Sequence, residues 1–261
     1  MNKDNEKSRY HVPNLERALK IMEHMAAEAQ PLGISAIADA LDFPKNSVFR
    51  IVTTLHDYGY LRRDGASKRF TLGPGLLTLG YAAVEEDKLI ERASDVMRDI
   101  RDFTNETTLI GVLTDTQGIV LDHVLSTYPV KVVVGVGTGF PLHSAAPAKA
   151  MLAALERAER DQWLDRVGFE RFTANTITSR KALITDLDAA RKRGYAIDDG
   201  EHNDGIRCIG AAVKNRRGEP VASIWVTGPS FRMKREDFEP LGKIVSKGAA
   251  RVSARLGYDG V

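Results

Sequence analysis

The sequence predicts an α+β chain in two parts: a winged helix-turn-helix in front, and a domain of helices and antiparallel strands behind it. Three observations predict this. Residues 43–60 read as a helix with two unlike faces, and a short helix precedes them across a tight turn. Tyr60 to Leu72 reads as a hairpin whose strands and tip are basic. From Thr107 onward the apolar period shortens to that of strands, with helical stretches before, between and after them.

The front part is built as follows. Residues 1–12 read as a flexible tail. Asn14 is placed to cap a first helix carrying Leu15, Ala18, Leu19, Met22 and Met25 on one face. Gln30-Pro31-Leu32-Gly33 breaks it. Ser35 is expected to cap a short helix with Ile37, Ala38 and Leu41 inward. Asp42 is expected to cap the next helix, with Pro44 in its first turn and Gly59 as its stop. On that helix Val48, Ile51, Val52 and Leu55 fall at i, i+3, i+4 and i+7, a buried stripe. Asn46, Arg50, Thr53 and Asp57 lie opposite, with Lys45 and Ser47 flanking.

Asn and Arg each offer two hydrogen bonds to a base edge, so this face suits reading of duplex DNA. Taken alone, an ordinary amphipathic surface helix shows the same pattern. The following hairpin changes the balance. Arg62 and Arg63 on one strand, and Lys68 and Arg69 on the other, flank the turn Asp64-Gly65-Ala66-Ser67 like a wing beside phosphates. Within 43–70 there are six basic residues (Lys45, Arg50, Arg62, Arg63, Lys68, Arg69) against two acidic ones (Asp57, Asp64), although the whole chain carries only +2. The excess is local, as a DNA footprint requires. The candidate DNA contacts are Lys45, Asn46, Ser47, Arg50, Thr53, Arg62, Arg63, Lys68 and Arg69. Asp57 shares the face, but its charge and its place near the helix end argue against contact.

Composition narrows the class. The chain has 261 residues, 43% of them hydrophobic and 28% charged, with no apolar run long enough for a bilayer. Met1 to Tyr10 lacks the apolar segment of a signal peptide, so a cytoplasmic location is expected. The single cysteine, Cys208, excludes an internal disulfide and a multi-Cys zinc site.

Gly73-Pro74-Gly75 marks a boundary, and Leu76, Leu77, Leu79, Gly80, Ala83 and Val84 form a small, apolar linker helix. Such a helix outside both cores needs a partner, for which a second copy of the chain is simplest. After the charged stretch Glu85 to Lys88, a helix bearing Ile90, Ala93, Met97 and Ile100 opens the second domain. Thr108–Thr114 and Ile119–Leu125 form a hairpin around Asp115-Thr116-Gln117-Gly118. Val130–Val136 is expected as a third strand, and Gly135 to His143 as a mobile loop. Helices follow over Ala145–Leu155 and Arg160–Val167. Ser179 caps another helix, which runs to Arg193 and ends at Gly194. Strands Arg207–Lys214 and Pro220–Val226 precede a closing helix, Glu236–Leu256.

With these elements in place, the chain resembles the IclR family of bacterial transcription regulators. The resemblance is carried by Asn14-Leu15-Glu16-Arg17-Ala18-Leu19, Ile37-Ala38-Asp39-Ala40-Leu41, Pro44 to Arg50, Gly59-Tyr60 and Phe70-Thr71-Leu72-Gly73. In the second half it is carried by Pro141 to Ala150, Gly205-Ile206-Arg207-Cys208-Ile209 and Gly228-Pro229. It implies a winged helix-turn-helix (13–74), a linker helix (75–90) and a GAF-like α/β effector domain (91–261). It also implies homodimers or homotetramers on double-stranded operator DNA, with a small metabolite changing occupancy, no membrane role and no cofactor. Five departures bear on the ligand. Ala148 precedes Lys149 where glycine is usual, and Pro147 stands where a small residue is common. Ala212 replaces a proline, and Trp225 and Thr227 stand where serines are frequent.

The resemblance places the effector site at His143, Ser144, Ala145, Ala146, Asp198, Cys208, Trp225 and Thr227. The loop-to-helix junction at 143–146 offers free N–H groups, which suits a carboxylate. Otherwise Ser144 is simply a helix cap, Cys208 a small core residue, and Asp198 a solvated turn residue. Trp225 is free to face either the pocket or the outer layer. A thiol-imidazole pair of Cys208 with His143 or His202 has no supporting signature. Nor do His123, His143, His202 and Cys208 show metal-ligand spacing. The glycines at 135, 137 and 139 lack the Gly-Lys-Ser/Thr that a P-loop needs. The expected function is ligand-responsive, sequence-specific regulation of catabolic genes by a small organic or sugar acid. The competing reading is a small-molecule-binding or catalytic domain whose N-terminal helices only dimerise.

Overall fold

Three helices, α1 (Pro13–Glu28), α2 (Ile34–Leu41) and α3 (Lys45–Asp57), enclose a core of Ile21, Met25, Ile37, Val48, Val52 and Leu55. Burying such a side chain contributes roughly 1.5–3 kcal/mol. Strands β1 (Leu61–Arg63) and β2 (Phe70–Leu72) pair antiparallel, Arg62 opposite Thr71, and close the core with Leu61 and Phe70. The computed structural model describes residues 12–28, 30–83 and 89–260. They fall into two units, Met1–Asp87 and Lys88–Val261. The expected tail lies outside the described residues except for Val12, and so does the charged break at Glu85–Lys88.

Several ends differ from expectation. Helix α1 begins at Pro13, with the Leu15 and Glu16 N–H groups donating to the Val12 carbonyl, and Asn14 instead accepts from Arg17 at 3.3 Å. Its buried stripe is turned from the expected one: Ile21 and Met25 are inside, while Leu15 and Leu19 are 59% and 49% exposed. The N-cap of α2 is Gly33, not Ser35, and Gly33 accepts from the Ile37 N–H at 3.1 Å. Asp42 does not cap α3. It ends α2 in the left-handed conformation (φ 53°), and Pro44 takes the N-cap position of α3. Both substitutions share a cause: the backbone turn fixes the helix start, whatever oxygen-bearing side chain stands nearby.

The end of α3 follows expectation. Tyr60 N–H donates to Leu55 O at 2.8 Å, and Gly59 N–H to His56 O at 2.9 Å, with Gly59 at φ +78°. This pair of bonds is the Schellman closure that favours glycine. Leu32 exchanges backbone bonds with Phe70 (2.9 and 2.8 Å), adding a third, one-residue arm to the wing sheet. In the wing turn it is Lys68, not Gly65, that adopts positive φ (57°). The Asp64 carboxylate accepts from both the N–H and the hydroxyl of Ser67 at 2.6 Å, which holds its pKa below the usual carboxylate value. Leu72 shares the Phe70 face but is 38% exposed. Helix α4 (Gly75–Ala83) completes the described part of this unit.

The second unit is a six-stranded antiparallel sheet. Its strands are β3 (Thr107–Leu113), β4 (Gly118–Val124), β5 (Gly139–Phe140), β6 (Ala196–Asp199), β7 (Ile206–Lys214) and β8 (Pro220–Pro229), in the order β5-β4-β3-β8-β7-β6. Helices α5 (Leu89–Thr104) and α9 (Phe238–Arg255) cover one face, over Ile110, Ile209, Ile224 and Val226. Helices α6 (Ala146–Ala154) and α8 (Arg180–Arg193) cover the other, over Leu109, Ala196 and Trp225. The period-2 alternation of each strand sorts its side chains to these two cores. Helix α8 matches expectation at both ends: the Ser179 hydroxyl accepts from Ala182 N–H, and Gly194 closes it at φ 83°. Helix α7 (Arg157–Leu164) begins and ends three residues earlier than the expected 160–167. A 3-10 turn over Arg235–Asp237 starts the closing helix.

Two expectations about strands fail. Val130–Val136 is not a strand. Among the described residues it has no ladder partner, and Val130, Val133 and Val136 are 70%, 62% and 61% exposed. Valine's strand preference is realised only against a neighbouring strand. The segment hangs from the sheet by side chains instead: Thr107 donates to Val132 O at 2.7 Å, and Arg232 to Val130 O at 3.0 Å. Residues 135–143, expected as a mobile loop, contain edge strand β5 and the buried Phe140, Leu142 and His143. Strand β6 was not anticipated, because Ala196-Ile197-Asp198-Asp199 ends in two acids.

Candidate functional site

In the first unit, α3 presents the expected reading face. Lys45, Asn46 and Arg50 are exposed, while Ser47 and Thr53 are half-buried at its margins. Arg62, Arg63, Lys68 and Arg69 are all exposed on the wing. Among the described residues, Arg50 and these four cations have no carboxylate within ion-pair distance, and Lys45 has only a long contact to Asp39 at 3.9 Å. Cations left unpaired in water are available for phosphates. A groove of about 530 Å³ runs between α1 and α3 past Asn46, Ser47 and Arg50. From α1, Arg17 donates to the Ser47 hydroxyl at 3.3 Å and lies 5.8 Å over the Phe43 ring, a cation that sequence reading missed. It also missed Phe49, which is 56% exposed on α3.

In the second unit, register brings several of the candidate effector residues together. Asp198 pairs with Cys208, Cys208 with Thr227, and Thr227 with Thr107 across β6, β7, β8 and β3. Direct partners project to the same side of a sheet, so the four form one row beneath α6. The next row is Ala196, Gly210, Trp225 and Leu109. Trp225 therefore faces the α6 side and not the α5/α9 layer. It is 4% exposed, packs edge-on to Phe140 at 5.4 Å, and presses on Gly111, where a Cβ would stand 3.1 Å from the indole. A Cβ on Gly210 would meet Pro147 N at 3.1 Å and Ala146 C at 3.2 Å. The first turn of α6 thus rests on the backbone of β7, and this sets the depth of the 143–146 junction.

At that junction Ala145, not Ser144, is the N-cap. Ser144 is fully buried and its hydroxyl has no hydrogen-bond partner among the described residues. Ala145 and Ala146 are buried beside it. The His143 Nε2–H donates to Glu170 O at 2.8 Å, and the ring stacks on Phe172 at 5.6 Å. Phe172 in turn meets the ring of His202 at 5.1 Å. Asp198 is not a solvated turn residue: it is 3% exposed and accepts from Glu201 N–H at 2.6 Å. Burial lifts its pKa to about 6, against the opposing pull of that N–H and of Lys149. The Cys208 thiol donates to Thr227 Oγ1 at 3.2 Å, and burial with the Asp198 charge pushes its pKa up. A nucleophilic thiol needs the opposite shift.

Sequence reading also missed the charge network behind this row. Lys149 on α6 is fully buried, 2.6 Å from Glu201 and 2.9 Å from Asp186. Burial lowers its pKa, but the two carboxylates outweigh that, and the net shift is upward. Burial raises Glu201 to about 7 despite the Lys149 charge, and its Oε2 has no hydrogen-bond partner among the described residues. The available signal was a lone lysine in Ala146-Pro147-Ala148-Lys149-Ala150-Met151-Leu152-Ala153-Ala154, a helix with no polar face to place it on. Another cavity, of about 560 Å³, opens by Tyr195, Lys214 and Tyr258 and touches none of the effector residues. Helices α6 and α8 both end there, and Arg191 donates to the carbonyl of Leu155, the C-cap of α6, at 2.9 Å.

A winged helix-turn-helix joined to a domain with a convergent buried polar row defines a ligand-responsive DNA-binding regulator. The family comparisons agree along the chain. The IclR helix-turn-helix domain matches residues 14–65, and the bacterial transcriptional regulator IclR C-terminal domain matches residues 81–254. The chain belongs to the IclR family of bacterial transcriptional regulators. It is 30% identical to the HTH-type transcriptional regulator KdgR of Escherichia coli (strain K12), over 98% of this chain and 97% of that one. The solved structure of the Thermotoga maritima IclR matches at TM-score 0.77 and 27% identity, covering 95% of this chain and all of that one, 100%. An IclR homolog from Microbacterium hydrocarbonoxydans, complexed with 4-hydroxybenzoate, shares the fold at TM-score 0.80 and 21% identity, over 93% and 98% of the two chains. Such proteins regulate transcription and are not enzymes. Among the described residues, no helix is long and apolar enough to cross a membrane.

Proposed function

We propose that α3 enters the major groove of operator DNA and that the wing lies along the phosphate backbone. In this reading Lys45, Asn46, Ser47, Arg50 and Thr53 face the bases, and Arg62, Arg63, Lys68 and Arg69 the phosphates. The supporting observation is the concentration of exposed cations on this one helix and hairpin, of which, among the described residues, only Lys45 has an ion-pair contact, a long one to Asp39. Residues 13–74 form the DNA-binding part, 75–90 the linker and 91–261 the effector domain. Exposed Leu15 and Leu19 on α1, with Leu77 and Leu79 on α4, favour pairing of copies as a homodimer or homotetramer on a near-palindromic operator. A protein acting on the chromosome works in the cytoplasm. Fluorescence anisotropy with the full chain and the DNA upstream of its own gene is expected to show tight binding that weakens with salt. Replacing Lys68 and Arg69 together by alanine is expected to weaken every sequence alike and to flatten the salt slope by roughly two units for each copy bound. Salt-insensitive binding would count against the whole reading.

The effector we place between the 143–146 junction and the row Asp198, Cys208, Thr227, with Trp225 as its floor. The single observation carrying this is the buried Ser144 hydroxyl, which has no partner among the described residues, since such groups ordinarily find one. A small carboxylate fits best. Its oxygens would take the α6 N-terminal N–H groups and the Ser144 hydroxyl, and its body would lie against Trp225. The ligand of the Microbacterium neighbour, 4-hydroxybenzoate, is of this class. Thermal shift of the full chain against small organic, aromatic and sugar acids is expected to give a stabilising ligand. If only neutral or cationic compounds stabilise, the carboxylate assignment is wrong.

A further inference from the structure

Helix α3 carries one apolar side chain that its core does not use. Val48, Val52 and Leu55 are buried and Ile51 is half-buried, but Phe49 is 56% exposed. It adjoins Arg50, and it lies three residues from Asn46 and four from Thr53, so it shares their surface. It stands seven residues before His56, whose ring nitrogen meets Leu61 O at 3.2 Å and whose ring lies 6.2 Å from Phe70. Seven residues are two turns, so Phe49 sits on the wing side of α3, toward its N-terminal end. A benzyl group set among Lys45, Asn46 and Arg50 gains nothing from water.

In the major groove a phenyl ring has one partner. Three of the four bases show only donors and acceptors there, whereas thymine adds an apolar 5-methyl group. Wedging between base steps belongs to minor-groove binders, and stacking on open bases to single-strand binders. We propose that Phe49 is a specificity residue that packs on the methyl group of one thymine in each operator half-site. It thereby adds an apolar readout to the hydrogen-bond readout of Asn46 and Arg50. The inference rests on the reading of α3 as the major-groove helix.

The test uses the full chain and duplexes it selects from a random-sequence library. Each thymine of a selected half-site is replaced in turn by deoxyuridine, which pairs identically but lacks the methyl. A replacement in one half-site is expected to weaken wild-type binding about fourfold, the loss for one methyl taken out of an apolar contact, and the same replacement in both half-sites about fifteenfold. Phe49→Ala is expected to bind the thymine and deoxyuridine duplexes equally, and Phe49→Leu to keep part of the difference. Because Phe49 lies outside the core, both variants are expected to fold as the wild type does. If the wild type ignores every replacement, or Phe49→Ala feels the same loss, the inference is overturned while DNA reading by α3 stands. If no duplex is enriched, the major-groove reading falls and takes this inference with it.

Discussion

In the first unit the candidate site keeps its charges in water: Arg50, Arg62, Arg63, Lys68 and Arg69 are exposed and, among the described residues, unpaired. In the second unit Lys149 is fully buried, clamped by Glu201 and Asp186, and Asp198 lies buried beside it. The same residue types serve opposite ends. On the proposed reading, a cation on α3 is a contact held in reserve, and its removal is expected to be felt only when DNA is present. Behind the effector row a cation holds the fold itself, because uncompensated charge in a dry interior is costly. Recognition is thus separable from stability in one unit and entangled with it in the other.

The strongest test of that contrast is Lys149→Met. It strands two carboxylates and is expected to destabilise the second unit by about 3–5 kcal/mol. Both tryptophans, Trp163 and Trp225, lie in this unit, so urea unfolding followed by their fluorescence reports on it alone. Adding Glu201→Gln is expected to recover part of the loss, and a wild-type midpoint in the single variant would remove the contrast. Arg50→Ala is expected to do the reverse. Stability should stay within about 0.5 kcal/mol, while discrimination at one base pair falls by roughly 1–3 kcal/mol. Footprinting titrations on operator and random DNA would measure it.

Ser144→Ala sharpens the comparison further, because it removes a buried hydroxyl that has no partner among the described residues. Its stability is expected to hold or rise slightly, while calorimetric affinity for a stabilising acid drops roughly five- to tenfold, about one hydrogen bond. The smallest effect concerns pH. Asp198 at about 6 and Glu201 at about 7 bind protons in the folded state that the unfolded chain, near 3.8 and 4.5, has released. Their contribution is therefore full below the unfolded values and is lost as pH rises through about 6 to 7. Asp198→Asn is expected to shrink this fall in melting temperature by a few degrees. An unchanged pH profile would mean that Asp198 stays ionised throughout.

What was legible in the sequence follows the same division. Helix α8 could be read whole, because Ser179, Gly194 and the apolar period act within a few residues of one another. The reading face of α3 was legible because one helix carries it. The row Asp198, Cys208, Thr227, Thr107 was not, since it depends on the register of four strands, one of which (β6) gave no strand signal. The candidate effector residues come from the family resemblance, and register sets Asp198, Cys208 and Thr227 side by side with Trp225 in the next row. Val130–Val136 misled because valine reports a preference and not a partner. Lys149 was passed over because lysine is usually solvated, although its helix offers it no wet side. Phe49 was counted with neither stripe, because an exposed aromatic carries meaning only beside the polar groups that frame it.

The segment 126–138 has one more consequence. Its start is tied to Asn105 by Ser126 and Thr127, its middle is held by side-chain bonds from Thr107 and Arg232, and Gly137 and Thr138 at its end pair to Val120. Residues can be inserted or lost before Gly137 without shifting the pairing of any other strand, and so without moving the buried row to the wrong side of the sheet. Lineages are therefore free to lengthen or shorten this stretch, and length differences among relatives are expected to collect here, leaving β3 and β8 untouched.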